Sequence, residues 1–247
     1  MTGLVVAARY LTIVPVPGPV RMSADALGRA APWFPVIGIG IGGLLALTDR
    51  VTQVFFPLLL AGLLTVTVWK LLTGGLHLDG LADCLDSLGG HDAEQRLAIM
   101  RDSRIGAFGA LGLILLLLLE IAAVTEMPPS VRSAALLVVP TVARATPPLL
   151  ARMFSPAKQE GQGAAFGAGV GALAAPIALS IALVVAIVPL RALGLVVLVV
   201  SVLSALVLAR FFASRVSGIT GDVLGAAIEI AELMGLLTVS AWSHLAR

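Results

Sequence analysis

Long apolar runs, separated by short polar and charged segments, dominate this chain. A helix needs about 20 mostly apolar residues to cross a hydrocarbon core of roughly 30 Å. Seven runs approach that length: Pro32–Thr48, Val54–Thr73, Gly106–Thr125, Val131–Leu150, Gly169–Val188, Ala192–Ala209 and Leu224–Trp242. Strands are disfavoured, because a stretch such as Leu111–Leu119 shows no alternation of polar and apolar positions. Backbone groups in lipid must pair within their own segment. The pattern therefore predicts an all-α polytopic integral membrane helical bundle, with about seven transmembrane helices plus short interfacial or re-entrant ones.

The first run, Leu4–Val14, is too short to cross and carries Arg9 and Tyr10. It ends in Pro15-Val16-Pro17-Gly18-Pro19, which cannot continue a helix. A cleaved signal peptide would need its positive charge ahead of an unbroken apolar stretch, so this segment reads as an interfacial or half-inserted helix. No repeat is evident, and Pro147-Pro148 and the Gly-rich Gly161–Gly171 stretch read as helix ends or bends. Residues 1–247 form a single integral membrane domain on this reading.

Composition agrees with the pattern. The chain is 59% apolar and 12% charged, where soluble domains run at roughly 45–50% and about 25%. A net charge of +2 is too small to point to nucleic acid, and a single cysteine, Cys84, excludes an intramolecular disulfide. With the N-terminus inside and seven crossings, Arg9, Arg21, Arg29, Arg96, Arg101, Arg104, Arg152, Lys158, Arg210 and Arg215 fall on the cytoplasmic side. Arg50, Arg132, Arg191 and Arg247 fall outside, a bias that sets the orientation.

The segment Gly74–Gly90, GGLHLDGLADCLDSLGG, carries Asp79, Asp83 and Asp86 at i, i+4 and i+7. On a helix all three fall within about 60° of one face. Carboxylates about 6 Å apart repel by roughly 3 kcal/mol at an effective dielectric near 20. Protonation or a cation relieves that repulsion, and an oxygen-only donor set suits Mg²⁺, Mn²⁺ or Ca²⁺ over zinc. Simple capping by Asp79 and solvation of Asp86 are the alternative. His77, just upstream, is either a general base or a satisfied histidine.

Two further clusters lie on the same predicted side. Met100–Gly109 places Arg101, Asp102 and Arg104 at the entry to the third span, where guanidinium groups and free backbone N–H groups suit an anionic phosphate. Anchoring on lipid head groups is the competing reading. Ser217–Glu232 carries Asp222, Glu229 and Glu232; an ionisable group in an apolar span is costly and usually functional. Pairing with Arg210, Arg215 or Arg144 would explain them structurally. Lys158 could reach a phosphate, Glu120 reads as paired inside the bundle, and Cys84 needs no thiol chemistry.

Four segments together resemble the cobalamin synthase (adenosylcobinamide-GDP ribazoletransferase) family: YLTIVPVP from Tyr10, GGLHLDGLADCLDSLGG, MRDSRIGAFGALG from Met100, and TGDVLGAAIEIAE from Thr220. The resemblance runs the length of the chain, with Cys84 and Leu85 departing from the small residues common in the family. It implies a Mg²⁺-dependent transfer in the last steps of cobalamin biosynthesis. A hydroxyl of α-ribazole, or of its 5′-phosphate, attacks the cobinamide-bearing phosphorus of adenosylcobinamide-GDP; GMP leaves, and adenosylcobalamin or its 5′-phosphate forms. The resemblance also implies a bacterial inner membrane location with the active site toward the cytoplasm. It carries over Asp79, Asp83, Asp86, Asp102, Arg104, Asp222 and Glu229 as site residues.

Phosphoryl-transfer chemistry then suggests roles. Asp79, Asp83 and Asp86 would hold Mg²⁺; Arg101, Asp102, Arg104, Lys158, Glu229 and Glu232 would frame the substrate phosphates; Asp86, Asp222 or His77 would accept a proton. Association with itself or with other late pathway enzymes is left open. Two rival classes are weaker. The CDP-alcohol phosphotransferases open their signature with Asp-Gly, two residues and Ala-Arg, whereas Asp79-Gly80 is followed by Leu81-Ala82-Asp83 with no arginine, and the later Asp-x-x-x-Asp is absent here. An ion-coupled transporter would place its acids near the midplane within inverted repeats.

Overall fold

The computed structural model describes residues 2–18, 23–157 and 162–246. Arg21, Lys158 and Arg247, named above, lie outside the described residues. The described residues form thirteen α-helices and no strand beyond one isolated bridge.

Helix α1 (Thr2–Leu11) has 10 residues, about 15 Å of rise, and cannot cross a bilayer. Arg9 folds the proline segment back by donating to the carbonyls of Val16 (2.8 Å) and Gly18 (2.7 Å). α2 (Ala24–Ala30) passes through a short 3₁₀ turn into α3 (Phe34–Phe55), and α4 (Leu58–Leu72) follows. α5 (Leu76–Asp86) and α6 (Ala93–Ile99) precede α7 (Ala107–Glu126). α8 (Pro129–Ala143) and α9 (Thr146–Met153) act together as one span, Pro129–Met153. α10 (Gln162–Gly169), α11 (Ala174–Leu190), α12 (Ala192–Val216) and α13 (Gly221–Leu245) complete the chain.

Five segments are long and apolar enough to cross a membrane, and two bent pairs raise the number to seven. One pair is α10 with α11, bent by 86°; the other is α4 with α5, bent by 88°. α5 leaves α4 at nearly a right angle, so the two cannot cross as one straight helix. Large apolar side chains face outward on the crossing helices, among them Leu111, Ile114 and Leu118 on α7 and Val184 and Val188 on α11. In water such a surface would aggregate; in lipid it is the solvated face. The chain is a multi-pass membrane protein.

Each predicted crossing corresponds to a helix, with shifted ends. α3 continues through Phe55, and the second crossing starts at Leu58, because Pro57 cannot extend α3 and serves as the N-cap of α4. α13 packs against α5, α7, α8, α9 and α12, which makes it the central helix. Two backbone bonds join the loops at its N-terminal end: Ala157 N–H to the Ile219 carbonyl and Ile219 N–H to the Ser155 carbonyl, both 2.9 Å. They form the parallel bridge between Pro156 and Ile219.

Candidate active site

The site begins at the corner between α4 and α5. Gly74 (φ 63°) and Gly75 (φ 67°) both occupy the left-handed region, which a side chain would strain. These two residues let the chain leave the end of α4 and lie across the N-terminus of α13. There the two backbones nearly touch: a Cβ on Gly80 would stand 2.8 Å from the Asp222 carbonyl oxygen and 3.0 Å from its Cα. That approach sets Asp79 and Asp83 of α5 beside Asp222 of α13.

Asp79 is exposed, while Asp83 and Asp222 are half-buried. Burial, and next the negative charges of Asp79, Asp222 and Asp86, push the Asp83 carboxyl up to about 7. Thr220 caps α13, its hydroxyl oxygen accepting the Val223 N–H at 3.2 Å, and it also donates to Asp222 Oδ2 at 3.2 Å.

Asp86 departs from the expected triad. Its carboxylate accepts the backbone N–H groups of Gly106 (2.7 Å) and Gly109 (2.8 Å). These belong to the N-terminal turn of α7, where unpaired donors and the positive end of the helix attract a carboxylate. Asp86 therefore plugs the helix terminus that sequence reasoning assigned to a substrate phosphate. Among the described residues, Asp79, Asp83 and Asp86 do not bring three oxygens within 4.8 Å of one another. The described trio that does is Glu120, Glu229 and Glu232.

Those three glutamates surround a lysine. Lys70 Nζ lies 2.6 Å from Glu229, 3.0 Å from Glu120 and 3.2 Å from Glu232. Arg144 pairs with the other Glu232 oxygen and donates to the Pro140 carbonyl at 3.0 Å. All five side chains are buried. Glu229 and Glu232 thus turn inward to Lys70 and Arg144, and the phosphate-binding role expected of them is corrected to interior ion pairing. Lys70 was missed as their partner, although a lysine inside the apolar run TVTVWKLL was a visible signal.

The loop between α6 and α7 carries the remaining basic residues. Arg104 is strongly exposed and grips Asp102 through Nη2–Oδ2 (2.5 Å) and Nε–Oδ1 (3.0 Å). Hydrogen bonds from Arg104 hold the Asp102 carboxyl down at about 2. Arg101 beside it is also exposed. The Lys158 expectation falls outside the described residues.

A cavity of about 270 Å³ opens next to the acids, between α1, α3, α5, α10 and α13. Tyr10, Phe34, Phe166, His77, Asp79 and Asp222 are among its lining residues. His77 is 3% exposed, and neither ring nitrogen has a hydrogen-bond partner among the described residues. Burial, and then the nearby Arg144 cation, push its pKa down to about 3, so the ring is neutral at working pH.

A family model described as "Cobalamin-5-phosphate synthase" matches residues 3–240. The chain belongs to that family. A relative from Geotalea daltonii named adenosylcobinamide-GDP ribazoletransferase is 36% identical over 239 residues, covering 96% of each chain. A Brevibacillus brevis protein of the same name is 36% identical over 247 residues, covering 98% of this chain and 99% of its own. One from Acinetobacter baumannii, again of that name, is 34% identical over 244 residues and covers 96% of each. No solved structure matches. All three segments that bear most on the site, the acidic α5, the α6–α7 loop and the start of α13, lie inside the region the family covers.

Proposed function

We propose that the chain transfers the cobinamide phosphate moiety of adenosylcobinamide-GDP to α-ribazole or its 5′-phosphate, at the cytoplasmic face of a bacterial inner membrane. A hydroxyl oxygen of the acceptor forms a bond to the cobinamide-bearing phosphorus. The bond from that phosphorus to the bridging oxygen breaks, GMP departs with the bonding pair, and the hydroxyl proton passes to a base. The single observation carrying this reading is the meeting of Asp79 and Asp83 with Asp222 at a cavity mouth, in a chain of this family.

The donor chemistry of the site fits Mg²⁺. Asp79 and Asp83 offer only oxygen, and Mg²⁺ commonly uses one or two carboxylates while keeping several waters and substrate phosphate oxygens. Such an ion, when bound, supplies charge neutralisation for the diphosphate. The residues of the chain do the rest. Asp222, oriented by Thr220, faces the cavity and accepts the proton of the acceptor hydroxyl. Arg101 and Arg104 are exposed on the neighbouring loop, where they meet the anionic nucleotide. Asp86 holds the α7 terminus, and so the loop, in place.

The test uses purified full-length protein in detergent with adenosylcobinamide-GDP and α-ribazole, in Mg²⁺ or in EDTA. GMP and a cobalamin-sized product appear only with the metal. Asp83→Asn folds with an unchanged gel-filtration profile and loses turnover by at least 100-fold. Product formation unaffected by EDTA and by Asp83→Asn overturns the metal assignment; no product under any condition overturns the transfer.

A further inference from the structure

Helices α11 and α12 double back on each other through Arg191, and a groove of about 480 Å³ opens between them on the outward face of the bundle. Pro176, Ser180 and Leu183 of α11 line one wall; Val199, Val202 and Leu203 of α12 line the other. Near Arg191 the two backbones almost touch, since a Cβ on Gly194 would run into the Ala186 carbonyl. The groove therefore opens farther along, toward the end of α12 that leads to Thr220 and Asp222.

The α12 wall continues past the groove to a charge. Arg210 stands seven residues beyond Leu203 and eleven beyond Val199, so the three lie within about 40° of one helix face. Along the axis Arg210 is about 10 Å from Leu203, and the strongly exposed Val207 lies between them. Arg210 is itself exposed and, among the described residues, makes no hydrogen bond or ion pair. Arg215 is engaged instead: its guanidinium carbon lies 3.5 Å from the centre of the Phe211 ring, and Nη1 donates to the Phe211 carbonyl at 2.9 Å. Neither α11 nor α12 holds an Asp or Glu that could pair with Arg210.

A cation without a protein counter-ion, on a helix face that is otherwise apolar and outward, calls for an anion supplied by the bilayer. Arginine binds phosphate through paired N–H donors, and basic groups beside membrane helices recognise anionic head groups. An apolar groove about 10 Å from that guanidinium fits the acyl chain below such a head group. A second copy of the chain fits less well, because helix contacts in membranes favour small residues and these walls are mostly leucine, valine and proline. We infer that the α11–α12 groove binds an anionic phospholipid, with one acyl chain against Val199 and Leu203 and the phosphate on Arg210. The site is separate from the transfer chemistry and stands without it.

Native mass spectrometry of the full-length protein, stripped of lipid in detergent and then offered phosphatidylglycerol or phosphatidylcholine, tests the site. The wild type retains one phosphatidylglycerol at least 10-fold more strongly than phosphatidylcholine. Arg210→Gln abolishes that preference, and Leu203→Trp, which fills the groove, weakens retention of phosphatidylglycerol several-fold. Arg215→Gln and Arg191→Gln leave both unchanged. Equal retention of the two lipids by the wild type overturns the inference, as does an unchanged preference in a folded Arg210→Gln. Loss of preference in Arg191→Gln in place of Arg210→Gln overturns it too, since the head group then sits at the opposite end. A dimer that forms without lipid and is broken by Leu203→Trp makes the groove a contact between copies and likewise overturns it. Photoactivatable phosphatidylglycerol on the wild type needs no variant to fold: labelling falls on residues 176–183 and 198–210 and is competed by the unlabelled lipid. Labelling spread evenly over the outward helix faces rejects the site.

Discussion

Asp86 and Gly109 are bonded across the turn from α5 to α7, the aspartate oxygen accepting the glycine N–H at 2.8 Å. With the companion bond from Gly106 at 2.7 Å, this carboxylate closes the first turn of a crossing helix. Asp86→Ala therefore lowers stability in detergent by about 1–2 kcal/mol, in the range of a lost helix cap. Asp86→Asn, which keeps one acceptor oxygen, recovers about half of that. Thermal unfolding of the two variants checks the ordering, and equal loss in both would show that the charge matters more than the bond.

The Asp83 carboxyl gives a pH dependence of definite sign. Its folded value, raised to about 7, stands well above an ordinary aspartate near 3.9. Between those values the folded protein holds a proton that the unfolded chain releases, so stability falls as pH rises through that window. Without divalent ions, the unfolding temperature drops from pH 5 to pH 8, and Asp83→Asn flattens the drop. Added Mg²⁺ raises the unfolding temperature more at pH 8 than at pH 5, since it binds the ionised form. A Mg²⁺ effect that is larger at pH 5 contradicts this account.

Lys70 is surrounded by three buried carboxylates. Removing a partner from a buried ionic group leaves uncompensated charge and costs about 3–5 kcal/mol. Lys70→Met accordingly destabilises the protein by that amount or prevents its accumulation in the membrane. The triple change Lys70→Met, Glu120→Gln, Glu229→Gln restores most of it, leaving Glu232 to Arg144. Expression level and detergent unfolding of the single and triple variants decide the matter.

Two glycines of the same helix crossing respond differently. Gly80→Ala places a methyl group 2.8 Å from the Asp222 carbonyl oxygen, so α5 must move away from α13. The expected cost is about 1–3 kcal/mol, as for overpacked cores, with a marked loss of turnover. A Cβ on Gly225 would sit 3.4 Å from His77 Cα, close to ordinary contact, and Gly225→Ala keeps most of the activity. Similar loss in both variants would mean that the distance between α5 and Asp222 is not what turnover depends on.

The crossings were legible because apolar runs such as Leu111–Leu119 need no polar partner: five of its nine residues are exposed as lipid would require, and the buried Leu116 packs on other apolar groups. Their ends were less so: Pro57 falls inside the run beginning at Val54, and proline decided where α4 starts. At the site, the spacing of Asp79, Asp83 and Asp86 shows that they share a helix face, but a helix face is wide enough to serve two neighbours. Asp86 answers to α7 and Asp83 to Asp222, a division that only tertiary packing sets. Glu229 and Glu232 could not be told from substrate ligands, because Lys70 and Arg144 lie more than eighty residues away along the chain. The right angle after α4 is hidden likewise: two glycines announce a turn without saying how sharp it is.

The parallel bridge between Pro156 and Ile219 has a mechanical corollary. It ties Ser155 and Ala157 by paired backbone bonds to the turn that immediately precedes Thr220 and Asp222. The two connecting segments consequently move as one body: a tug on the first is transmitted to the acid at the head of the central helix, with no side chain needed as intermediary.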